Sequence, residues 1–415
     1  MNPIELRDQK GSKLAILQTL RVHGGMSRIE LTRLTGLSRA TISLSIAELL
    51  EHRLVYETDN RLMTKGRPAT TLELVPGSRV ILGADLDNGA WTLGAFDLLG
   101  NVIRSVNIAV GTADPVETFA ALAREIPRFS ASLEQTPLKL LGLGVPGLVD
   151  GEHRAIRSAA ESGWHQVEAA QMMEQALDWP TVVVNRHRAR GLTECRYGAG
   201  SQFNHMIYIG VGMGIAAGLY IDRQLLSGSL GGAGEIGHTT IEPEGPLCPC
   251  GNHGCLQALS AGAAMEQEYR KLVRSSERID LSSDMDLQFL KVHDVCAAAE
   301  AGDELAMSVV HKSASYLGIA MANLLNTFNP EAIILGGVIP QSSPLFADCA
   351  TKVMRQRAMR PLSAHTIVRT AQFKEFGGAL GAANFALDRN MSISIFQQSE
   401  SAEAAASPSE PIDIG

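Results

Sequence analysis

The amino-acid sequence predicts an α/β protein in which a winged helix-turn-helix module, residues 1–76, precedes a two-lobed body, residues 77–390. Two patterns lead to this prediction. The N-terminal part contains three short helical patterns followed by two strand-like segments, whereas apolar strands and glycine turns dominate from residue 80 and begin again near residue 205. Residues 391–415 are rich in Ser, Glu, Ala and Pro, a composition typical of a disordered tail.

Length, hydropathy and charge limit the class of protein. A chain of 415 residues exceeds what one hydrophobic core usually supports, so two or three domains are expected. No apolar run reaches the roughly 18 residues of a membrane span, and the N-terminus lacks a signal-peptide core, which predicts a cytoplasmic protein without a membrane partner. The net charge is −8, yet residues 1–75 hold 11 Lys and Arg against 8 Asp and Glu, which suits a nucleic-acid-binding module on an acidic body.

The first two helices are predicted from their apolar spacing and their end signals. Residues 12–23 carry apolar side chains at helical spacing and end at two glycines. Ser27 followed by Glu30 is a capping-box signature for a second helix, and Gly36 is the residue type that makes the turn between two helices. The two helices therefore begin a helix-turn-helix.

A third helix is predicted to begin at the N-cap Ser38 and to read DNA. Its inner stripe consists of Ile42, Ile46, Leu49 and Leu50, and Ser45 is expected on the outer surface. The early residues of such a helix meet base edges and phosphates in the major groove. The candidate DNA contacts are Ser38, Arg39, Thr41 and Ser43. The alternative is a three-helix structural module that does not bind DNA.

Two strands after His52 are predicted to form the wing, with the segment Lys65-Gly66-Arg67-Pro68 at its tip. An arginine on an extended, proline-stiffened tip suits a narrow minor groove, where the negative potential is enhanced. Lys65 and Arg67 are therefore candidate DNA contacts. The alternative is an ordinary solvated turn.

The body is predicted to consist of two lobes, residues 77–200 and 201–390. Two hairpins, a third strand and a helix resemble one half of an actin-like, ribonuclease-H-like kinase fold, and a second copy begins at His205. Helices are expected between Gln267 and Leu325. The predicted strands are residues 80–87, 91–100, 102–110, 140–150 and 333–339, and the predicted helix of the first copy is residues 115–132. Residues 206–226 are predicted to form a strand, a glycine turn and a second strand.

Three cysteines, Cys248, Cys250 and Cys255, have the spacing C-x-C-x4-C among turn-forming residues. Thiolates this close together suit one tetrahedral Zn²⁺, which needs a fourth ligand. Spacing alone allows either His238 or His253. The alternative is a set of free or disulfide-bonded cysteines.

The segment Glu235-Ile236-Gly237-His238, with the Cys-x-Cys-Gly-x-x-Gly-Cys-Leu run after it, resembles the joint sugar and zinc motif of the ROK family (repressors, open reading frames and kinases). The resemblance covers about residues 12–388. It implies that His238 is the fourth zinc ligand, that Glu235 and His238 face a sugar, and that the Gly-Arg-Pro wing tip contacts DNA.

The kinase residues of this family are altered in the chain. Family kinases have Asp-x-Gly-Gly-Thr at the first hairpin, where this chain has Asp85-Leu86-Asp87-Asn88-Gly89. Arg186 occupies the position of the catalytic Asp, and an arginine stays protonated and cannot act as a base. We therefore expect no enzymatic activity.

The resemblance also implies a ligand site formed by Asn185, Arg186, Glu235, His238 and Gln257. Gln257 replaces a family glutamate, which changes the expected hydroxyl pattern of the ligand. A guanidinium at position 186 suits an acidic or phosphorylated sugar. The alternative is that Arg186 neutralises a neighbouring acid in a vestigial pocket.

The predicted function is therefore a DNA-binding transcriptional regulator, a repressor of carbohydrate-utilisation genes. Its partners would be operator double-stranded DNA, a carbohydrate-like effector and further copies of the chain in a homodimer or homotetramer. One alternative is a ROK sugar kinase with an appended DNA-binding head. Another is a constitutive DNA-binding protein whose body only dimerises.

Overall fold

The structure is a computed structural model that describes residues 9–62, 69–276 and 287–394. Within these ranges, no helix combines the length and the apolar character needed to cross a bilayer.

The N-terminal head contains the three helices and the antiparallel strands that a winged helix-turn-helix is predicted to have. Its three strands form one antiparallel sheet in the order β1-β3-β2. The elements of the head are α1 (Gln9–His23), β1 (Met26–Ser27), α2 (Arg28–Thr35), α3 (Arg39–Glu51), β2 (Val55–Leu62) and β3 (Ala69–Leu74).

The helix ends of the head follow the predicted caps. Ser27 and Glu30 form both hydrogen bonds of the capping box, and Gly36 ends α2 with a φ of 70°. The side chain of Ser38 accepts a hydrogen bond from the Thr41 backbone N–H at the start of α3. These local signals are sufficient to set where α2 and α3 begin.

The inner face of α3 differs from the prediction at two positions. Ile42, Ile46 and Leu49 are buried, but Leu50 is only partly buried, and Ser45 is buried instead of exposed. Ser45 lies three residues after Ile42 and four before Leu49, so it falls on the same helical face. The prediction for Ser45 was therefore wrong.

The first lobe contains a five-stranded sheet in the order β11-β7-β4-β5-β6 and a small three-stranded sheet, β10-β9-β8. Strand β4 pairs in parallel with β7 and antiparallel with β5. The elements of this lobe are β4 (Val80–Asp87), β5 (Ala90–Asp97), β6 (Val102–Ala109), α4 (Pro115–Ala131), β7 (Leu141–Val145), β8 (Leu148–Val149), β9 (Ile156–Ala159), β10 (Trp164–Val167), α5 (Ala169–Leu177), β11 (Thr181–Asn185) and α6 (Arg186–Tyr197).

The second lobe repeats this topology in the strand order β14-β13-β12-β15-β16. Strand β12 pairs antiparallel with β13 and parallel with β15, so the predicted duplication is confirmed. The elements of this lobe are β12 (Met206–Val211), β13 (Ile215–Ile221), β14 (Gln224–Leu225), a 3₁₀ turn (Ile236–His238), α7 (Leu256–Ser260), α8 (Gly262–Ser275), α9 (Val292–Glu300), α10 (Glu304–Phe328), β15 (Ala332–Gly336), α11 (Val338–Ser342), α12 (Pro344–Arg357), α13 (Arg360–His365), β16 (Ile367–Thr370) and α14 (Gly377–Ser394).

Two predicted boundaries in the second lobe are corrected. The strand predicted over residues 333–339 ends at Gly336, because Gly337 has a φ of 91° and turns the chain into α11. The last helix continues to Ser394 and so includes the first four residues of the predicted tail. Residues 395–415 lie outside the described ranges.

Helix α14 returns to the first lobe and packs on its sheet. A Cβ at Gly83 of β4 would overlap the carbonyl oxygen of Ala379, and one at Gly142 of β7 would overlap that of Ala382. The close approach of helix and sheet therefore requires glycine at both strand positions.

The head is attached to the body through α1 and α14. Arg21 donates a hydrogen bond to Asp388 over 2.8 Å and a second one to Asn384. The same two side chains accept hydrogen bonds from Arg196 at the end of α6. The apolar side chains of α1, α3 and α14 belong to one continuous core, so the head is not a freely tethered module.

Candidate ligand cleft and metal cluster

A cleft of about 530 Å³ lies between the two lobes, and a smaller cavity of about 50 Å³ opens beside it. The end of β4, the start of α6 and the turn between β12 and β13 line these spaces. All of the predicted ligand residues line the smaller cavity: Asn185, Arg186, Glu235, His238 and Gln257. Arg186 and Gln257 also line the larger cleft.

Asn185 is largely committed to the local fold. It is the N-cap of α6, and its side-chain oxygen accepts hydrogen bonds from the backbone N–H groups of His187 and Arg188. Its amide nitrogen donates to the carbonyl oxygen of Gly147 over 2.9 Å. The side chain therefore has one N–H left for a ligand.

Arg186 is held by two acids of the protein. Its guanidinium pairs with both oxygens of Glu161, at 2.7 and 2.9 Å, and lies 3.2 Å from a carboxylate oxygen of Asp87. Its side chain is only 6% exposed, so little of it remains for a ligand. This geometry favours the alternative that Arg186 neutralises neighbouring acids over the prediction of an anionic sugar.

Arg190 completes the group of charges and was not predicted as a site residue. It donates to Asp85 over 2.7 Å and to Asp87 over 2.8 Å. Burial raises the pKa of Asp85 above its usual range, although Arg190 acts against this. Burial also acts to raise the pKa of Asp87, but Arg190 and Arg186 outweigh it, so the pKa of Asp87 is lowered.

We call Asp85, Asp87, Glu161, Arg186 and Arg190 the cleft network. Its partners come from β4, from the turn between β9 and β10 and from the first two turns of α6. The arginines at alternate positions of Arg-His-Arg-Ala-Arg, directly after a buried strand, were the sequence signal for it. Glu161 carried no comparable signal.

Glu235 is oriented by another arginine, Arg188, which was not among the predicted site residues. Arg188, 1% exposed, lies 3.2 Å from Glu235 and also donates to the carbonyl oxygen of Gly231. Burial raises the pKa of Glu235, while Arg188 and His238 oppose that increase. The Glu235 carboxylate is thus fixed at the wall of the smaller cavity.

His238, Cys248, Cys250 and Cys255 form the metal cluster, in which all ligand atoms lie within 4.8 Å of one another. The sulfur atoms of Cys250 and Cys255 are 3.7 Å apart, and the Cys248 sulfur lies 3.6 Å from Nδ1 of His238. A tetrahedral Zn²⁺ with Zn–S bonds of about 2.3 Å and a Zn–N bond of about 2.0 Å has edges of roughly 3.8 and 3.6 Å. These two distances match the edges of such a tetrahedron, so the cluster is compatible with a zinc ion.

The loop that carries the cluster depends on tight backbone turns. Gly254 has a φ of 64°, and a Cβ there would overlap the carbonyl oxygen of Glu242. The backbone N–H of Cys248 donates to the carbonyl oxygen of Asn252. His253, which spacing alone had left open as a ligand, instead places Nδ1 3.2 Å from the carbonyl oxygen of Gly245.

The predicted DNA contacts that the structure describes lie at the start of α3. Ser38, Arg39 and Ser43 are exposed at the start of α3, and Thr41 is half-buried. Lys65 and Arg67 lie outside the described residues. The exposed side chains thus lie at the N-terminal end of α3, which is the end expected to enter a major groove.

Comparison with known proteins identifies the family. The profile of the ROK family matches residues 82–389, which is most of the chain. The chain belongs to the ROK family. It is 28% identical over 374 residues to the xylose repressor of Caldicellulosiruptor bescii, which covers 89% of this chain and 94% of that protein.

Two solved structures relate the chain to both branches of the ROK family. A ROK family transcriptional regulator, a homologue of the E. coli MLC protein, superposes with a TM-score of 0.78 and 26% identity over 93% of this chain and 98% of its own. A ROK glucokinase from Streptomyces griseus, in complex with glucose and AMPPNP, has a TM-score of 0.67 and 25% identity. It covers 74% of this chain and 99% of its own, so the similarity to the kinase extends over less of this chain than the similarity to the regulator.

Proposed function

We propose that this ROK protein is a transcriptional repressor that binds operator DNA through its head and senses a sugar through the cleft of its body. The observation that carries this proposal is the similarity to a ROK transcriptional regulator over 93% of the chain, winged helix-turn-helix included. The xylose repressor among its relatives supports an effector of the carbohydrate class.

The cleft is proposed not to transfer phosphate. Phosphoryl transfer needs a backbone loop that accepts phosphates and a base for the attacking hydroxyl. Here the carboxylate of Asp87 stands in the loop and is tied to Arg186 and Arg190, and Arg186 fills the position of the base. A phosphate would meet a carboxylate, and the arginines that could attract it already have partners.

The metal cluster is proposed to hold one structural Zn²⁺. Four protein ligands leave no open position for a reacting water. When bound, the metal would fix the loop that carries His238, which lines the smaller cavity. The ligand site and the metal would therefore share one side chain.

The head is proposed to act in pairs. Helix-turn-helix proteins usually bind two half-sites with a two-fold assembly, so a homodimer or homotetramer is expected. Size-exclusion chromatography with light scattering measures this assembly.

The function is tested by fluorescence anisotropy with DNA fragments from sugar-utilisation promoters. Binding should weaken steeply with salt, because phosphate contacts release counterions. A neutral sugar that raises the melting temperature of the protein should also change its operator affinity. A chain that binds neither promoter DNA nor any sugar would contradict the proposal, and phosphorylation of a sugar by ATP would favour the kinase alternative.

A further inference from the structure

Glu161 occupies the junction of the two spaces in the cleft. It lies in the turn between β9 and β10 and lines both the larger cleft and the smaller cavity, with 28% of its side chain exposed. A Cβ built at Gly214 of the second lobe would lie 3.4 Å from Oε2 of Glu161 and 3.3 Å from Oε1 of Gln257. The carboxylate thus reaches from the first lobe to the glycine turn of the second.

Arg186 fixes the Glu161 carboxylate but does not exhaust it. Two nearly parallel contacts, at 2.7 and 2.9 Å, join the guanidinium to the two oxygens. A carboxylate has about four lone-pair directions, so about two remain for other donors. Because both oxygens are held, these acceptors are pre-oriented toward the cleft.

The charge balance of the cleft disfavours an anionic ligand. Each arginine of the first turns of α6 is engaged by acids of the protein: Arg186 by Glu161 and Asp87, Arg188 by Glu235, and Arg190 by Asp85 and Asp87. Four carboxylates stand against three guanidinium groups in this set. An added carboxylate or phosphate would meet these carboxylates, and each guanidinium group of the set already has an acidic partner.

We propose that Glu161 is a ligand-recognition residue that accepts hydrogen bonds from hydroxyl groups of a neutral sugar and excludes acidic and phosphorylated sugars. Arg186 is the positioning residue that holds the carboxylate. This inference rests on the proposed function, in that it assigns chemistry to the sugar site. Glu161 would supply a carboxylate beside the position where ROK kinases have their catalytic Asp and this chain has Arg186.

The direct test compares Glu161→Gln with wild type by titration calorimetry, using neutral pentoses and hexoses, including D-xylose and D-glucose, against D-glucuronate and glucose 6-phosphate. We expect wild type to bind a neutral sugar at least tenfold more tightly than either anion. Because Glu161→Gln removes a charged acceptor, it should weaken the binding of the neutral sugar about ten- to a hundredfold. Glu161→Ala should also reduce the ratio of the affinity for the neutral sugar to the affinity for D-glucuronate, because Arg186 loses its main partner and can pair with the anion.

The matched control is Glu174→Gln. Glu174 forms a comparable bidentate pair with Arg154, at 3.1 and 2.6 Å, outside the cleft. This variant should keep the affinity of wild type for every sugar. Thermal unfolding of each variant checks that the fold is retained.

Arg186→Lys tests the positioning role. Lysine keeps the positive charge but cannot hold both carboxylate oxygens. Arg186→Lys should weaken the binding of the neutral sugar as much as Glu161→Gln does. The double variant, Glu161→Gln with Arg186→Lys, should bind the sugar no more weakly than either single variant, because the two residues act as one unit. A residue that only supported the fold would give additive losses.

Three results would overturn the inference: unchanged neutral-sugar affinity in both Glu161 variants, additive losses in the double variant, or wild type that binds anionic sugars as tightly as neutral ones. The first and third leave the proposed function intact, provided that the bound sugar still alters operator affinity. Wild type that binds no sugar and no promoter DNA would defeat both proposals.

Discussion

The metal cluster and the cleft network both bring several ligating or charged side chains together, but they are built in opposite ways. The four residues of the metal cluster lie between His238 and Cys255, on one loop. The cleft network joins residues far apart in the chain, since Arg190 and Asp85 are separated by 105 positions. A short loop brings the residues of the metal cluster together, whereas the residues of the cleft network meet only when the whole first lobe is folded.

The two regions also differ in how their charge is balanced. The three thiols of the metal cluster lie beside an imidazole, and the cluster contains no cationic side chain, so the thiols would be stable as thiolates only around a metal ion. The carboxylates of the cleft network each lie against a guanidinium, as Asp85 does with Arg190 and Glu161 with Arg186. The cluster is therefore complete only with a ligand, whereas the network is complete without one.

Removing a metal ligand should have the largest effect. Cys255→Ser should abolish binding of one zinc per chain, and the stability lost should be several kcal/mol, because structural zinc sites contribute up to about 10–16 kcal/mol in small domains. Elemental analysis and thermal unfolding measure both effects. Cys349→Ser, outside the cluster, should keep the metal. Full zinc content in Cys255→Ser would refute the assignment.

Removing the central arginine of the cleft network should have the next largest effect. Arg190→Met leaves Asp85 and Asp87 with one partner fewer in a buried site, which should lower the free energy of unfolding by about 3–5 kcal/mol. Denaturant unfolding measures the loss. Arg154→Met removes an exposed pair with Glu174 and should cost less than about 1 kcal/mol.

The same variant has a predictable pH dependence. Burial already raises the pKa of Asp85 above its usual value, and loss of Arg190 should raise it further. A group whose pKa is higher in the folded than in the unfolded state stabilises at low pH and loses that contribution as the pH rises. The destabilisation of Arg190→Met should therefore be smaller near about pH 5 than near about pH 8. An equal loss at both would show that Asp85 is not the group left unpaired.

Weakening the attachment of the head to the body should lower the free energy of unfolding less than Arg190→Met does. Asp388→Asn weakens a carboxylate shared by Arg21 and Arg196 and should cost about 2–3 kcal/mol, within the range for hydrogen bonds to charged groups. Calorimetry should show the head unfolding before the body. A single transition with an unchanged midpoint would mean that the apolar contacts of α1 hold the head alone.

The smallest effect in free energy is expected at the DNA-binding face. Arg39→Ala should weaken binding to all DNA sequences by a similar factor and reduce the slope of log affinity against log salt by about 1. Arg124→Ala, on the exposed face of α4, is the control and should leave both unchanged. An unaltered salt slope in Arg39→Ala would remove Arg39 from the phosphate contacts.

Local features of this protein could be predicted from its sequence. The caps at Ser27, Glu30 and Ser38 and the grouping of the three cysteines depend on residues within a few positions of one another. The repeated strand patterns likewise predicted the two lobes. Such features depend on short loops or on a regular periodicity, and in both cases residues that are close in the sequence are also close in space.

The partners of the buried charges were decided by the tertiary structure alone. The sequence showed that Arg186 is a permanent cation at a changed position, but it left an anionic ligand and a neighbouring acid as equal alternatives. Glu161 and Asp87 reach Arg186 only after β4, the turn between β9 and β10, and the start of α6 have been brought together in the first lobe. Charge attraction acts through a few ångströms of space, and for these residues only folding brings the chain segments that close.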